Sequence, residues 1–206
     1  MSAPHAAPAP CLPDHPWVAH AGQTAAGIVL QLADEGLAAL RTHGRQAVLR
    51  VLGEHRQARA LAEPPAWRLV DAWPGHADAR WIDGQLAQAR PSQPEVLDEQ
   101  HVGDALVLTL RIPVDLQQFD VHFPALPILP GVMQLDWALA LAATRLATPT
   151  SCHRVDMLKF QRPLRPGQIV QLSLRPEVAM ARLHFGYACG DVDCSSGRLA
   201  WERLDG

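Results

Sequence analysis

The spacing of hydrophobic positions changes several times along the chain. Gly27-Ile28-Val29-Leu30-Gln31-Leu32 is a short apolar run that predicts a buried strand. From Asp34 to about Arg59 the sequence turns to Ala, Leu, Arg and Glu. Leu37, Leu40, Val48, Leu49 and Leu52 fall there at helical spacings broken near Gly44, so two helices are expected. Glu63-Pro64-Pro65 ends them, and Trp67-Arg68-Leu69-Val70 is a second strand candidate. Ala87 to Pro94 reads as a linker. Beyond it the pattern predicts a strand (Ala105 to Ile112), a Pro-rich loop and a long helix (Val132 to Ala147). Strands follow at Val155 to Phe160, Ile169 to Leu174, Leu183 to Cys189 and Arg198 to Trp201. One helix among successive antiparallel strands is an α+β arrangement. There is no internal repeat.

The loop and the helix carry the candidate chemistry. His122 opens the stretch HFPALPILPGVMQL, and Asp136 follows it directly. Pro124, Pro127, Pro130 and Gly131 interrupt any continuous helix between the two, so different elements must present them. The helix from Val132 to Ala143 is apolar almost all round, which predicts burial, and a carboxylate in it then needs a partner or a raised pKa. Histidine is the natural partner.

The pattern His-Phe-Pro-x-x-Pro-x-x-Pro-Gly-Val, with an acid five places after the Gly, resembles the hot-dog 3-hydroxyacyl-[acyl carrier protein] dehydratases. Asp in the string Gln134-Leu135-Asp136-Trp137 is most similar to the branch associated with aryl polyene pigment synthesis. Lys159-Phe160-Gln161-Arg162-Pro163-Leu164-Arg165-Pro166-Gly167 resembles the family's strand-and-turn motif, and Ser195-Ser196-Gly197-Arg198-Leu199 resembles a strand of its closing half. The resemblance covers roughly the second half of the chain. It implies a hot-dog domain over 95–206, an antiparallel sheet around a central helix.

The resemblance also implies the reaction: loss of water from a (3R)-3-hydroxyacyl thioester to give the trans-2-enoyl thioester. An imidazole titrates near ~6.5, which suits His122 to take the C2 proton, while Asp136 orients the departing 3-hydroxyl or gives it a proton. The Gly131 N–H, at the helix start, is placed to hold the thioester carbonyl, a donor typically worth ~3 kcal/mol. Phe123, Pro130, Val132 and Arg162 would contact the substrate. No cofactor or metal is expected. The partners implied are an acyl carrier protein bearing a phosphopantetheine thioester and a second hot-dog subunit, identical or not, since in the family the His and the acid come from opposite subunits. Arg154, Lys159, Arg162 and Arg165 form a basic cluster that would meet the carrier or simply face water. Val121 stands where the family usually has Gly; if that Gly serves a positive φ or a close approach of the acyl chain, a β-branched residue there would strain the loop or narrow the tunnel. Two other functions remain open: a non-catalytic hot-dog partner subunit, and a hot-dog acyl thioesterase, which the Asp136 spacing fits less well.

The first part of the chain has its own resemblance. His15-Pro16-Trp17-Val18 and Trp67-Arg68-Leu69-Val70-Asp71-Ala72-Trp73-Pro74 look like the small C-terminal subdomain of acyl-adenylating synthetases. Arg80 stands where that family has its lysine, and the phosphate loop of the large subdomain is missing. Residues 15–88 therefore read as a small α/β segment retained for structure or docking, behind a flexible leader over 1–14.

Composition narrows the remaining choices. A net charge of −3 with no Lys/Arg run gives no nucleic-acid signature. Cys11, Cys152, Cys189 and Cys194 lack CxxC spacing, so reduced thiols in a cytoplasmic protein are expected. The best apolar run is interrupted by Gln134, Asp136 and Arg145, and the N-terminus has no basic region before its alanines, so neither a membrane span nor a signal peptide is expected.

Overall fold

A computed structural model describes residue 12 and residues 15–202, so the leader expected over 1–14, Cys11 included, lies outside the described residues but for Leu12. The described residues form two units. One runs up to Ser92 and takes in Pro113–Ile128; the other takes Gln93–Ile112 and the residues from Leu129 onward. The sequence boundary expected near 88–95 is thus crossed by one segment, and that segment carries His122.

In the first unit, β1 (Val18–Thr24) and β2 (Gly27–Leu32) form an antiparallel pair, and β3 (Trp67–Val70) lies parallel to β2. Parallel neighbours need a crossover, and α1 (Asp34–Gln57) supplies it. As the spacing predicts, α1 is two helical stretches joined at Gly44, whose φ of 80° and ψ of 170° leave the helical region. Its inner face, Leu40, Val48 and Leu52, packs with Ile28, Leu30, Leu69 and Val114 into a core that includes Leu12. A short helix α2 (Ala79–Ala87) begins at Asp78, whose carboxylate caps the Trp81 N–H at 2.8 Å.

The second unit is a six-stranded antiparallel sheet around one helix. Its strands are β4 (Glu95–Val102), β5 (Ala105–Arg111), β6 (Arg154–Phe160), β7 (Ile169–Glu177), β8 (Arg182–Cys189) and β9 (Val192–Ala200), in the order β4-β5-β7-β8-β9-β6. Leu106, Leu108 and Leu110 of β5, Val170, Leu172 and Leu174 of β7, and Leu183, Phe185 and Tyr187 of β8 are buried at every second position, the signature of a sheet covered on one face. The helix α3 (Gly131–Leu146) covers that face with Trp137, Ala138 and Ala142. β4 and β6 are the edges, and nearly every residue on them is exposed. Among the described residues no helix is long and apolar enough to cross a membrane.

The expectation that α3 is buried all round is corrected here. Gln134, Trp137, Ala138, Leu139 and Ala142 are buried, whereas Val132, Asp136, Ala140 and Thr144, four residues apart in turn, are exposed in the single chain. The sheet covers one side of the helix, so the stripe opposite it is left open despite its largely apolar composition.

Candidate active site

Before His122 the chain makes a short 3-10 turn, Gln117–Asp120, anchored by the buried Leu116 and Phe119. The N–H groups of Val121 and His122 both donate to the Gln118 carbonyl, at 3.3 and 3.2 Å. His122 is half-buried, and its ring meets Phe123 edge-on with centroids 4.4 Å apart. Val121 has φ −105° and ψ −16° and is 83% exposed, so the strain expected of a β-branched residue before the histidine is absent. The left-handed backbone falls two residues later instead, at Phe123 with φ 51°. Phe123 is 59% exposed, so Pro127 and Pro130, both buried, are what pack the stretch down.

Asp136 sits in the second turn of α3, on the exposed stripe beside Val132. The helix begins at Pro130, whose carbonyl accepts from the N–H groups of Met133 (3.0 Å) and Gln134 (3.2 Å); helix geometry leaves the N–H of Gly131 without an acceptor inside the helix. Gly131 is tightly placed: a Cβ there would lie 2.4 Å from Cζ of Phe160, a half-exposed ring on β6. Pro130 is buried and acts through its cap, while Val132 and Arg162 are exposed. The N–H groups of Gln161 and Arg162 both donate to the Cys194 carbonyl, at 2.8 and 3.0 Å, which fixes the exit of β6 against β9. In the basic cluster Arg154 is paired with Asp156 at 3.0 Å, and Lys159 is exposed. Arg165 opens a turn through Pro166 and Gly167 in which the Gln168 N–H donates to the Arg165 carbonyl at 3.3 Å.

Two polar groupings escaped the sequence reading. Behind Asp136, the buried Gln134 side chain donates to the Leu129 carbonyl at 3.2 Å and accepts from Ser195 Oγ at 2.5 Å. Tyr187 Oη donates to the Gln134 carbonyl at 2.9 Å. Burial pushes the Tyr187 phenol well above its usual range, and the Asp136 carboxylate adds to the shift, so the phenol stays a donor. The second grouping centres on Asp115, 1% exposed, whose carboxylate accepts from Arg45 Nε at 2.6 Å and the Leu69 N–H at 3.2 Å and pairs with Arg90 Nε at 3.1 Å. Its one trace in the sequence is a carboxylate between Val114 and Leu116, in an apolar run.

The chain is similar to known proteins over the region that holds these residues. The family model described as ApeI-like, ApeI dehydratase, matches residues 98–198, a span that holds both His122 and Asp136. A 3-hydroxyacyl-[acyl-carrier-protein] dehydratase FabZ from Lactobacillus helveticus is 30% identical over 89 residues, 39% of this chain and 60% of that protein. One from Vibrio cholerae serotype O1 is 33% identical over 108 residues, 46% of this chain and 70% of that protein. The chain therefore spans between 60% and 70% of the length of these two relatives. Among solved structures, the dehydratase heterocomplex ApeI:P from Xenorhabdus doucetiae matches with 31% identity and a TM-score of 0.50, over 54% of this chain and 99% of that one. The α+β sheet and helix of the second unit are accordingly a hot-dog fold, and the chain belongs to the hot-dog 3-hydroxyacyl-[acyl carrier protein] dehydratase family.

Proposed function

We propose that the chain dehydrates (3R)-3-hydroxyacyl-[acyl carrier protein] to the trans-2-enoyl thioester, in fatty-acid-like or aryl polyene biosynthesis. The observation that carries this reading is the placement of His122 on a hydrogen-bonded loop and of Asp136 on an exposed helical stripe, with the open N–H of Gly131 one turn before it. His122 takes the C2 proton. Electrons move toward the thioester oxygen, which the Gly131 N–H holds, and the C3–O bond breaks as Asp136 orients the leaving hydroxyl or gives it the proton with which it departs as water. The site is completed in a dimer, where His122 of one subunit meets Asp136 of the other. Arg162 and Lys159, both exposed, are available to the phosphopantetheine arm or to an acidic carrier. Residues 15–88 act in this reading as a frame, without adenylating activity.

A second reading rests on one finding, that a structural relative is described as a heterocomplex. In it this chain is a non-catalytic subunit beside an active one. Full-length protein, alone and mixed with a second dehydratase subunit, is incubated with a 3-hydroxyacyl carrier thioester and the enoyl product is followed, with His122→Ala as blank. Turnover by the chain alone that His122→Ala abolishes is the expected result. Turnover seen only in the mixture and surviving His122→Ala establishes the partner role, and inactivity throughout rejects the enzyme.

A further inference from the structure

We propose that Asp115 is a positioning residue for His122, and that the N-terminal α/β unit is the frame against which it works; the inference rests on the dehydratase reading. Three separate pieces of that unit converge on one buried carboxylate. Arg45 comes from α1, the Leu69 N–H from β3, and Arg90 from the segment after α2. A carboxylate taken out of water is costly unless charges and donors surround it, and here two guanidinium groups and an amide do so. Each arginine also reaches further: Arg45 donates to the Trp67 carbonyl at 2.8 Å, and Arg90 donates to the Asp115 carbonyl (3.1 Å), the Leu116 carbonyl (3.2 Å) and the Asp120 carboxylate.

These bonds hold both flanks of the histidine. Upstream, Asp120 is two residues away, the Gln118 side chain donates to the Ser92 carbonyl at 3.2 Å, the Gln117 N–H donates to the Pro91 carbonyl at 2.9 Å, and the Val114 N–H meets the Asp71 carboxylate at 3.2 Å. The Gln118 carbonyl then receives the His122 N–H directly. Downstream, the kink of α1 receives the Pro124 carbonyl: a Cβ on Gly44 would lie 1.7 Å from that oxygen, and φ there is already +80°. The loop that bears His122 is therefore clamped before and after the imidazole by residues of α1, β3 and the 88–94 segment, while the imidazole itself stays half-buried. A general base displaced by about 1 Å can lose on the order of a hundredfold in rate. Such a clamp gives the adenylation-like segment a role in dehydration that needs no nucleotide.

The test uses the full chain and the 3-hydroxyacyl carrier thioester. Asp115→Asn keeps the shape and removes the charge; Arg45→Lys keeps the charge and loses the planar fork; Arg45→Met loses both; Asp120→Asn weakens the upstream tie at a partly exposed site where folding is little at risk. Asp115→Asn is expected to lower kcat at least tenfold with KM within about twofold, and Arg45→Lys is expected to retain more kcat than Arg45→Met. Backbone hydrogen exchange read on the same proteins should quicken over residues 116–126 and at the Leu69 N–H that bonds Asp115, and stay unchanged over β1 and β2. Unchanged kcat and exchange overturn the proposal, as does exchange that quickens equally across β1 and β2, which would make the cluster a fold determinant only. Should Asp115→Asn fail to fold, Asp120→Asn and the Arg45 pair decide by the same criteria. Should the parent turn over no substrate, the dehydratase reading falls, and the exchange measurement alone still decides whether Asp115 orders the loop.

Discussion

Replacing Gly131 by Ala puts a methyl group where the ring of Phe160 now lies. The added Cβ would stand 2.4 Å from Cζ and 3.0 Å from both Cε atoms of that ring, against the about 3.5–4.0 Å of ordinary carbon contact, so about 1–1.5 Å must be found. Phe160 is 51% exposed on an edge strand, which lets the ring swing outward, and overpacking at the low end of about 1–3 kcal/mol is expected. Alanine recovers part of that through its better helix propensity, leaving a net loss below about 1 kcal/mol, or at most about 2–4 °C in Tm for a chain of this size.

Activity should fall further than stability, because the group displaced with the helix start is the N–H proposed to hold the thioester oxygen. One misplaced donor of this kind is worth about ten- to hundredfold in kcat. Steady-state kinetics and thermal melts would be run on Gly131→Ala, Phe160→Ala and the double variant. Phe160→Ala vacates the space the methyl needs, so the double variant should regain most of the kcat lost by Gly131→Ala, giving a coupling well above the scatter expected of independent sites. A kcat unchanged in Gly131→Ala while Tm drops would refute the catalytic part of this reasoning. Additive losses in the double variant would refute the steric part.

Tyr187 is the one tyrosine in the sequence, so alkaline absorbance reports it alone: no tyrosinate should form near pH 10 while the chain stays folded. Because the folded phenol binds its proton more tightly than the unfolded one, stability should fall as pH rises above about 10, and Tyr187→Phe should lose that slope along with about 1 kcal/mol from its bond to the Gln134 carbonyl, both read by urea unfolding at several pH values. Val121→Gly should leave turnover within about threefold of the parent and stability slightly lower, since no strained φ exists there to relieve; a large gain would show that the side chain obstructs the site after all. The N-terminal segment should support no acyl-adenylate formation, with Arg80 exposed in the first turn of α2 at the expected lysine place, and pyrophosphate exchange above background would overturn this.

What could be read from the sequence followed from how far apart the determinants of each element lie. β2 and β3 have the bounds that their apolar runs predict, and the break in α1 falls at the glycine that interrupts its spacing. β5, β7 and β8 declare themselves because they alternate against one covered face. β4 was missed for the same reason: as an edge strand its Glu95, Asp98, Glu99 and Gln100 face water, and only pairing with β5 makes it a strand. β1 is small and polar and takes its conformation from β2, and α2 buries a single Ile82. β9 starts at Val192, well before the expected Arg198, because Cys194, Ser195 and Gly197 are buried without being large or apolar.

The site divides along the same line. His122, Gly131 and Asp136 are legible as a local motif, whereas the partners of Asp115 lie 70 residues away at Arg45, 46 at Leu69 and 25 at Arg90, and no periodicity connects them. The physical rule that finds Asp115 is the one that singles out Asp136: a carboxylate among apolar residues needs a partner. The helix of Asp136 is richer in apolar side chains, yet in the single chain its carboxylate is exposed, because the sheet covers one side of α3 and leaves the Asp136 stripe open. The buried carboxylate is the one in the shorter run between Val114 and Leu116, where backbone and two arginines close around it. In the dimer proposed above the two carboxylates then differ in what satisfies them. Asp115 has all its partners within its own chain, so its contribution should be present before assembly. Asp136 acquires its surroundings only on assembly, so loss of activity on dilution should move with dimer dissociation while the order of the His122 loop persists.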